Sequence, residues 1–222
     1  MSDSPKDESA GSATAEYLRS GLHPLHPLPP TESDARRRLL VAARDCFAED
    51  GYQGTSTRMI AGRAGMSPAA MYIHYPSKQA VLLKLCLLGH AAAFEALRHG
   101  AELGNDPRSR LKGAVYAFAF WHAESPMLGR VVQWEVASLE PVNFELVATQ
   151  RRTIEAYVRG ILDQGAQHGA FSVMDLHLTT VGILSLCIDL ARWVPLRPAS
   201  SPSSIAATYA ALAERMVSAS PP

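Results

Sequence analysis

The sequence predicts an all-α protein in two parts: an N-terminal three-helix domain built around a helix-turn-helix, and a larger helical C-terminal domain. Three observations carry this. The run TSTRMIAGRAGMSPAAMYIHYPSK, residues 55–78, holds two short helical patterns joined at Gly65. Beyond it apolar residues recur at helical spacing between Pro- and Ser-rich breaks, and no segment shows the two-residue alternation of a strand. Finally, 222 residues with 47% hydrophobic and 19% charged content suit a globular chain that buries a sizeable core in one or two domains.

Residues 1–32 read as a Ser/Asp/Glu/Pro arm ending in HPLHPLPP, too poor in apolar groups to fold alone. His23 and His26 lack further ligands at metal-binding spacing and belong to that arm; no metal is expected. Asp3, Asp7, Glu8 and Glu16 outnumber Lys6 and Arg19, which argues against the arm touching nucleic acid. The first domain spans 33–94. Its first helix covers about 33–50, with Leu39, Ala43 and Phe47 on one face and Gly51 at its end. Arg36, Arg37 and Arg38 open it, either as solvated charges or as phosphate contacts.

In the helix-turn-helix, Thr55 or Ser56 caps the first helix, and Ile60 and Ala64 face inward. Gly65 ends it, because a residue without Cβ enters the left-handed region at no steric cost. Ser67 caps the second helix, Pro68 occupies its first position and Pro76 stops it. Met71 and Tyr75 are spaced to face the supporting helices. Ala69, Tyr72 and Ile73 then form an uncharged outer face, which suits a DNA groove where apolar groups meet thymine methyls and a Tyr hydroxyl reaches phosphate. A long helix from Ser77 to about His99 serves both domains.

The second domain, 95–222, is expected to hold helices at about 107–123, 127–139, 141–167, 174–194 and 202–218. Phe94, Phe118, Trp121, Trp134 and Tyr157 belong to an aromatic cluster that is mainly core. With Leu186 they are the candidates for lining a ligand pocket between helices. The stretches LHLTTVGILSLCIDLARW and IAATYAALAERMV are apolar on more than one face and need a second burial partner. Leu186, Leu190, Trp193, Ala206, Tyr209 and Ala210 are the candidates for a homodimer interface there.

Net charge is zero, but residues 35–79 carry seven basic groups against three acidic ones, a local +4, as where a single module meets phosphate. Cys46, Cys86 and Cys187 are too far apart for a metal motif and read as buried thiols in a reducing cytosol. No uncharged apolar run of about 20 residues suggests a membrane span, and the N-terminus is acidic rather than signal-like. A cytoplasmic protein is expected. No nucleophile–base–acid constellation or cofactor loop emerges, so neither an enzyme nor a cofactor is expected.

Residues 35–94 resemble the N-terminal domain of the tetracycline-repressor (TetR) family of bacterial regulators. The resemblance lies in Ala42-Ala43, Phe47, Gly51-Tyr52, Thr55-Ser56-Thr57, Ile60-Ala61, Ala64-Gly65-Met66-Ser67, Met71-Tyr72, His74-Tyr75, Ser77-Lys78 and Leu82-Leu83. It implies DNA contacts from Thr57, Arg58, Ser67, Pro68, Ala69, Ala70, Tyr72, His74 and Lys78. It also implies pairing through the last two long helices, and an operator-binding regulator, most often a repressor, released by a small effector. Pro68, Ala69 and Ala70 depart from a polar base-reading set, which leaves Arg58, His74 and DNA shape to discriminate sequence. Arg192-Trp193, a Pro/Ser break and IAATYAALAERMV resemble TetR regulators that sense acyl-CoA thioesters, so a hydrophobic effector is expected. Arg98, Arg130, Arg151 and Arg152 are the available partners for a CoA phosphate. The alternatives are a ligand-independent DNA-binding scaffold and a helical small-molecule-binding module or enzyme without DNA function.

Overall fold

A computed structural model describes residues 33–196 and 200–218; the N-terminal arm with His23 and His26 lies outside the described residues. Those residues are helical, without strand. In order they form α1 (Asp34–Gly54), α2 (Thr57–Arg63), α3 (Pro68–His74), α4 (Lys78–Glu102), α5 (Pro107–Glu124) and α6 (Pro126–Trp134). A 3-10 turn (Glu135–Ser138), α7 (Pro141–Gln167), α8 (Leu176–Trp193), a second 3-10 turn (Val194–Leu196) and α9 (Pro202–Val217) complete the chain. Nearly every boundary falls within a few residues of the sequence expectation. The exception is 127–139, expected as one helix: it stops at Trp134 and tightens into a 3-10 turn at Glu135, where groups from α1 and α4 bond to it.

Two compact units emerge. One contains the described reader helices to Ala92 together with Met127–Arg151; the other contains Ala93–Pro126 and the described residues from Arg152 onward. The segment 127–151, grouped with the second domain by sequence pattern, thus clusters with the helix-turn-helix.

In the reader unit, Ser33 caps α1 by accepting the Arg36 N–H. The apolar face of α1 (Leu39, Leu40, Ala43, Phe47) is buried, as are Ile60, Met71, Val81, Leu82 and Leu85 of the same unit. Each large side chain contributes roughly 1.5–3 kcal/mol by leaving water. In the other unit α5 is the central rod. Leu111, Ala114, Ala117, Phe118 and Trp121 are buried, with Ile183, Leu190, Ala206, Ala210 and Val217 supplied by α8 and α9. Asp106 caps α5 in a reciprocal box with Ser109. Gly100 and Gly113 allow α4 and α5 to touch: a Cβ on either would lie 2.1 Å from the other's carbonyl oxygen.

Two helical stretches do reach the length and apolar composition of a membrane span, Lys78–Glu102 and Leu176–Leu196. Half of the first apolar window is buried in the protein but only a third of the second. Neither is an uncharged run of about 20 residues, since Lys84 and Glu95 interrupt the first and Asp189 the second, and α8 keeps surplus apolar surface.

Candidate nucleic-acid interface

The turn between α2 and α3 closes by backbone hydrogen bonds that glycine permits. Gly65 adopts φ 68, the Met66 N–H donates to Ala61 O at 2.9 Å, and the Gly65 N–H donates to Gly62 O at 3.0 Å. These are the paired bonds of a Schellman cap. Ser56, not Thr55, caps α2 by accepting the Met59 N–H at 3.2 Å. Thr55 instead donates its hydroxyl to Gly51 O, closing α1. Ser67 caps α3 through the Ala70 N–H, with Pro68 following.

Helix α3 is buried on one side only. Met71 and Tyr75 sit in the core, whereas Pro68 and Ala69 are exposed, Tyr72 is 51% exposed and Ile73 82%. An uncovered isoleucine on a short helix is an apolar surface that a groove wall can cover. The Tyr72 hydroxyl lies 3.2 Å from Thr57 Oγ1, tying the start of α2 to the recognition face. Arg58 beside it is exposed, with no ion pair among the described residues. Ala70 and His74 are half-buried at the margins of this face.

The basic excess is partly neutralised within the unit. Arg63 pairs with Glu49 at 2.6 Å, Arg38 with Asp34 at 3.2 Å and Arg44 with Asp45 at 2.6 Å. The Arg36 guanidinium lies 5.0 Å over the Tyr75 ring. Lys78 is also engaged inside: its ammonium donates to Tyr52 O and Thr55 O, each at 2.7 Å, and stands 4.1 Å above the Tyr52 ring. Burial holds its pKa below the usual lysine range. At most one of its three donors remains for a phosphate.

Tyr52 is therefore a junction. Its N–H, released from the helix ladder by the break at Gly51 (φ 70, ψ 170), donates to Glu135 Oε2 at 2.7 Å. Gln79 joins the same distant turn, donating to Ser138 O at 2.6 Å and accepting the Glu140 N–H at 3.3 Å. In the sequence Glu135 stands isolated, because 83 residues separate it from Tyr52 and no local pattern links them.

The residues expected around a ligand do not come together in one place. Phe94 and Tyr157 meet edge-on with ring centres 5.6 Å apart. Phe118 and Trp121 are buried and both contact the His122 ring, at 4.5 and 4.8 Å. Trp134 belongs to the reader unit and is exposed, and Leu186 is 42% exposed. Of the arginines considered for a CoA phosphate, Arg98 is held between Glu95 and Glu102. Arg151 is half-buried, donating to His90 Nε2, Val132 O and the Gln133 side chain. Arg130 is exposed and Arg152 lies at the surface of the other unit.

Of the residues expected at a dimer interface, Leu190, Ala206 and Ala210 are fully buried within their own chain and offer no surface; Trp193 and Tyr209 are half-buried. The exposed apolar positions are Leu178, Val181 and Leu186 on α8, with Leu212 and Met216 on α9. Met216 Cε reaches to 3.3 Å from where a Cβ on Gly182 would stand, so the two rows lie side by side.

Comparison with known proteins places these features in context. Residues 39–85 match the family described as bacterial regulatory proteins, tetR family, and residues 104–217 match the tetracyclin repressor-like C-terminal domain. The chain is similar to the HTH-type transcriptional activator FasR of Mycolicibacterium smegmatis, 25% identical over 160 residues, 72% of each chain. A solved bacterial regulatory protein in the tetR family from Rhodococcus RHA1 aligns with TM-score 0.81 at 37% identity, covering 86% of this chain and all of that one. The TetR family transcriptional regulator PfmR from Thermus thermophilus gives 0.71 at 29% identity over 80% of this chain and 97% of its own.

Proposed function

The chain belongs to the TetR family of bacterial transcriptional regulators, which are DNA-binding proteins rather than enzymes, and we propose that it acts as a cytoplasmic homodimer on a near-palindromic operator. The observation that carries this reading is the outer side of α3. Pro68, Ala69, Tyr72 and Ile73 are uncovered beside Thr57 and Arg58, an apolar stripe flanked by hydroxyls and one exposed cation. Such a stripe fits thymine methyls in a major groove, with Thr57, Tyr72 and Arg58 directed to the backbone or to a guanine edge. Ser67, Ala70 and His74 lie at its rim, and Lys78 contributes chiefly by holding the α1–α2 connection.

One helix-turn-helix reads few base pairs, so useful specificity needs two copies about 34–36 Å apart on the duplex. The apolar rows of α8 and α9 supply the surface for the second copy. A small hydrophobic effector, an acyl-CoA among the candidates, would release DNA to the extent that it binds the two states unequally. The aromatic groups Phe94/Tyr157 and Phe118/Trp121 support an apolar compound.

The test recovers DNA from a genomic pool with the purified protein, then measures release by fatty and sterol-derived acyl-CoAs, the free acids and polar metabolites. A palindromic site released by an apolar compound supports the reading. Release by polar metabolites alone sinks the effector class, and recovery of no preferred sequence sinks the operator. Repression is the expected sense of regulation. The name of FasR favours activation as the second reading, and a reporter behind the recovered operator separates the two.

A further inference from the structure

The bonds around Tyr52 lie outside the recognition face but lead into the start of α2. Gly51 breaks α1 and leaves the Tyr52 N–H without a helical acceptor. A half-buried carboxylate, Glu135 at the start of the 3-10 turn after α6, takes it at 2.7 Å. The Tyr52 carbonyl accepts from Lys78, and its ring lies beneath the same ammonium. Gln79 then staples Ser138 and Glu140 of the turn that carries Glu135. Three residues after Tyr52, Thr55 opens the connection and its carbonyl receives the second Lys78 bond. Ser56 then caps α2, and Thr57 and Arg58 begin the surface proposed to meet DNA.

We propose that Glu135 is a positioning residue for DNA binding: by accepting the Tyr52 N–H it fixes the α1–α2 connection and hence the placement of Thr57 and Arg58. The proposal rests on the DNA-binding reading above. A charge-assisted bond to a partly buried amide is among the stronger neutral-to-ion contacts, and deleting the acceptor strands the donor. The end of α1 then loses the hydrogen bond that reaches it from beyond α4. Glu135 touches no DNA in this scheme. Its effect reaches the duplex through Tyr52 and Thr55, and Gln79 secures the same turn from the α4 side.

The experiment measures affinity of the full-length protein for its selected operator, with wild type, Glu135→Ala, Glu135→Gln and Gln79→Leu compared at one salt concentration. Circular dichroism and melting monitor the fold, and hydrogen exchange reports the Tyr52 amide. Glu135→Ala is expected to bind at least tenfold more weakly while folded, with faster exchange at Tyr52. Glu135→Gln keeps an acceptor oxygen at the same reach and is expected to remain within threefold of wild type. Rescue by this conservative variant separates positioning by hydrogen bonding from a general charge effect. Glu135→Ala at wild-type affinity, or Glu135→Gln as weak as Glu135→Ala, overturns the proposal. If Glu135→Ala fails to fold, Gln79→Leu decides: at least tenfold weakening supports the role of the turn, and anything less overturns it. Failure of wild type itself to select an operator counts against the DNA-binding reading instead, so the two outcomes stay distinct.

Discussion

At His90 two hydrogen bonds define a neutral imidazole. Nδ1–H donates to Cys86 O at 2.8 Å, and Nε2 accepts from Arg151 Nε at 3.0 Å. Burial first, and the Arg151 charge in addition, push its pKa down to about 4 from the usual 6.5; the bond to Cys86 O works in the opposite direction. Because the folded value lies below the unfolded one, the stabilisation is complete above about 6.5 and is lost as pH falls through about 4. The loss is on the order of 3 kcal/mol across that window. His90→Gln is expected to flatten the melting temperature between pH 6.5 and 4, as followed by thermal unfolding. A slope identical to wild type would place the acid sensitivity elsewhere. Cys86 and Cys187 have thiol pKa values pushed up to about 12 by burial, so both stay protonated and inert at neutral pH. Arg58 and Lys78 separate DNA contact from scaffold. Arg58→Ala should weaken operator binding and reduce the salt slope by about one. Lys78→Ala should lower the melting temperature first, by roughly 2–3 kcal/mol of stability, since two bonds from a charged donor are lost. Salt titrations and melts on both variants distinguish the two roles.

The elements differ in what holds them. At seven residues each, α2 and α3 are too short to persist alone and depend on caps and core contacts. Gly65→Ala isolates the cost of the turn. A Cβ there would meet only Arg38 Nη1 at 3.9 Å, so the penalty is conformational, about 1–2 kcal/mol for a left-handed alanine. Gly100→Ala differs in kind, because a Cβ would strike the Gly113 carbonyl and force α4 and α5 apart. Denaturant unfolding should show a larger loss for Gly100→Ala than for Gly65→Ala. Equal losses would mean that the α4–α5 crossing relaxes at little cost.

For the whole molecule, the exposed rows on α8 and α9 carry the prediction about assembly. Leu178 is 66% exposed and Leu186 42%, with Val181, Leu212 and Met216 beside them. Leu186→Glu and Leu212→Glu should leave the fold intact and shift the protein to monomers that hold the operator poorly. Light scattering showing folded dimers for both would remove this face from the interface. Ala210→Glu is expected to unfold the chain instead, since Ala210 is fully buried and a carboxylate there has no solvent.

Local chemistry writes the reader domain into the sequence. Ser56, Gly65, Ser67 and Pro68 act on groups within a few residues of themselves, so the two short helices and the turn between them are legible from the residue order alone. The alternation of inner Met71 and Tyr75 with outer Ala69, Tyr72 and Ile73 follows from helical period, and the burial pattern agrees. Contacts across long sequence separation are not legible in this way. Nothing in the chain around Glu135 signals Tyr52, and nothing around Arg151 signals His90, 61 positions away. The all-round apolar character of α8 and α9 announces surplus burial without saying which side their own core takes. Leu190, Ala206 and Ala210 go inward and Leu178, Leu186 and Leu212 outward, because each helix has one face that α5 and its neighbours can cover. Period fixes which residues share a face; only packing decides which face meets the core, and which distant carboxylate finds an amide left over by a broken helix.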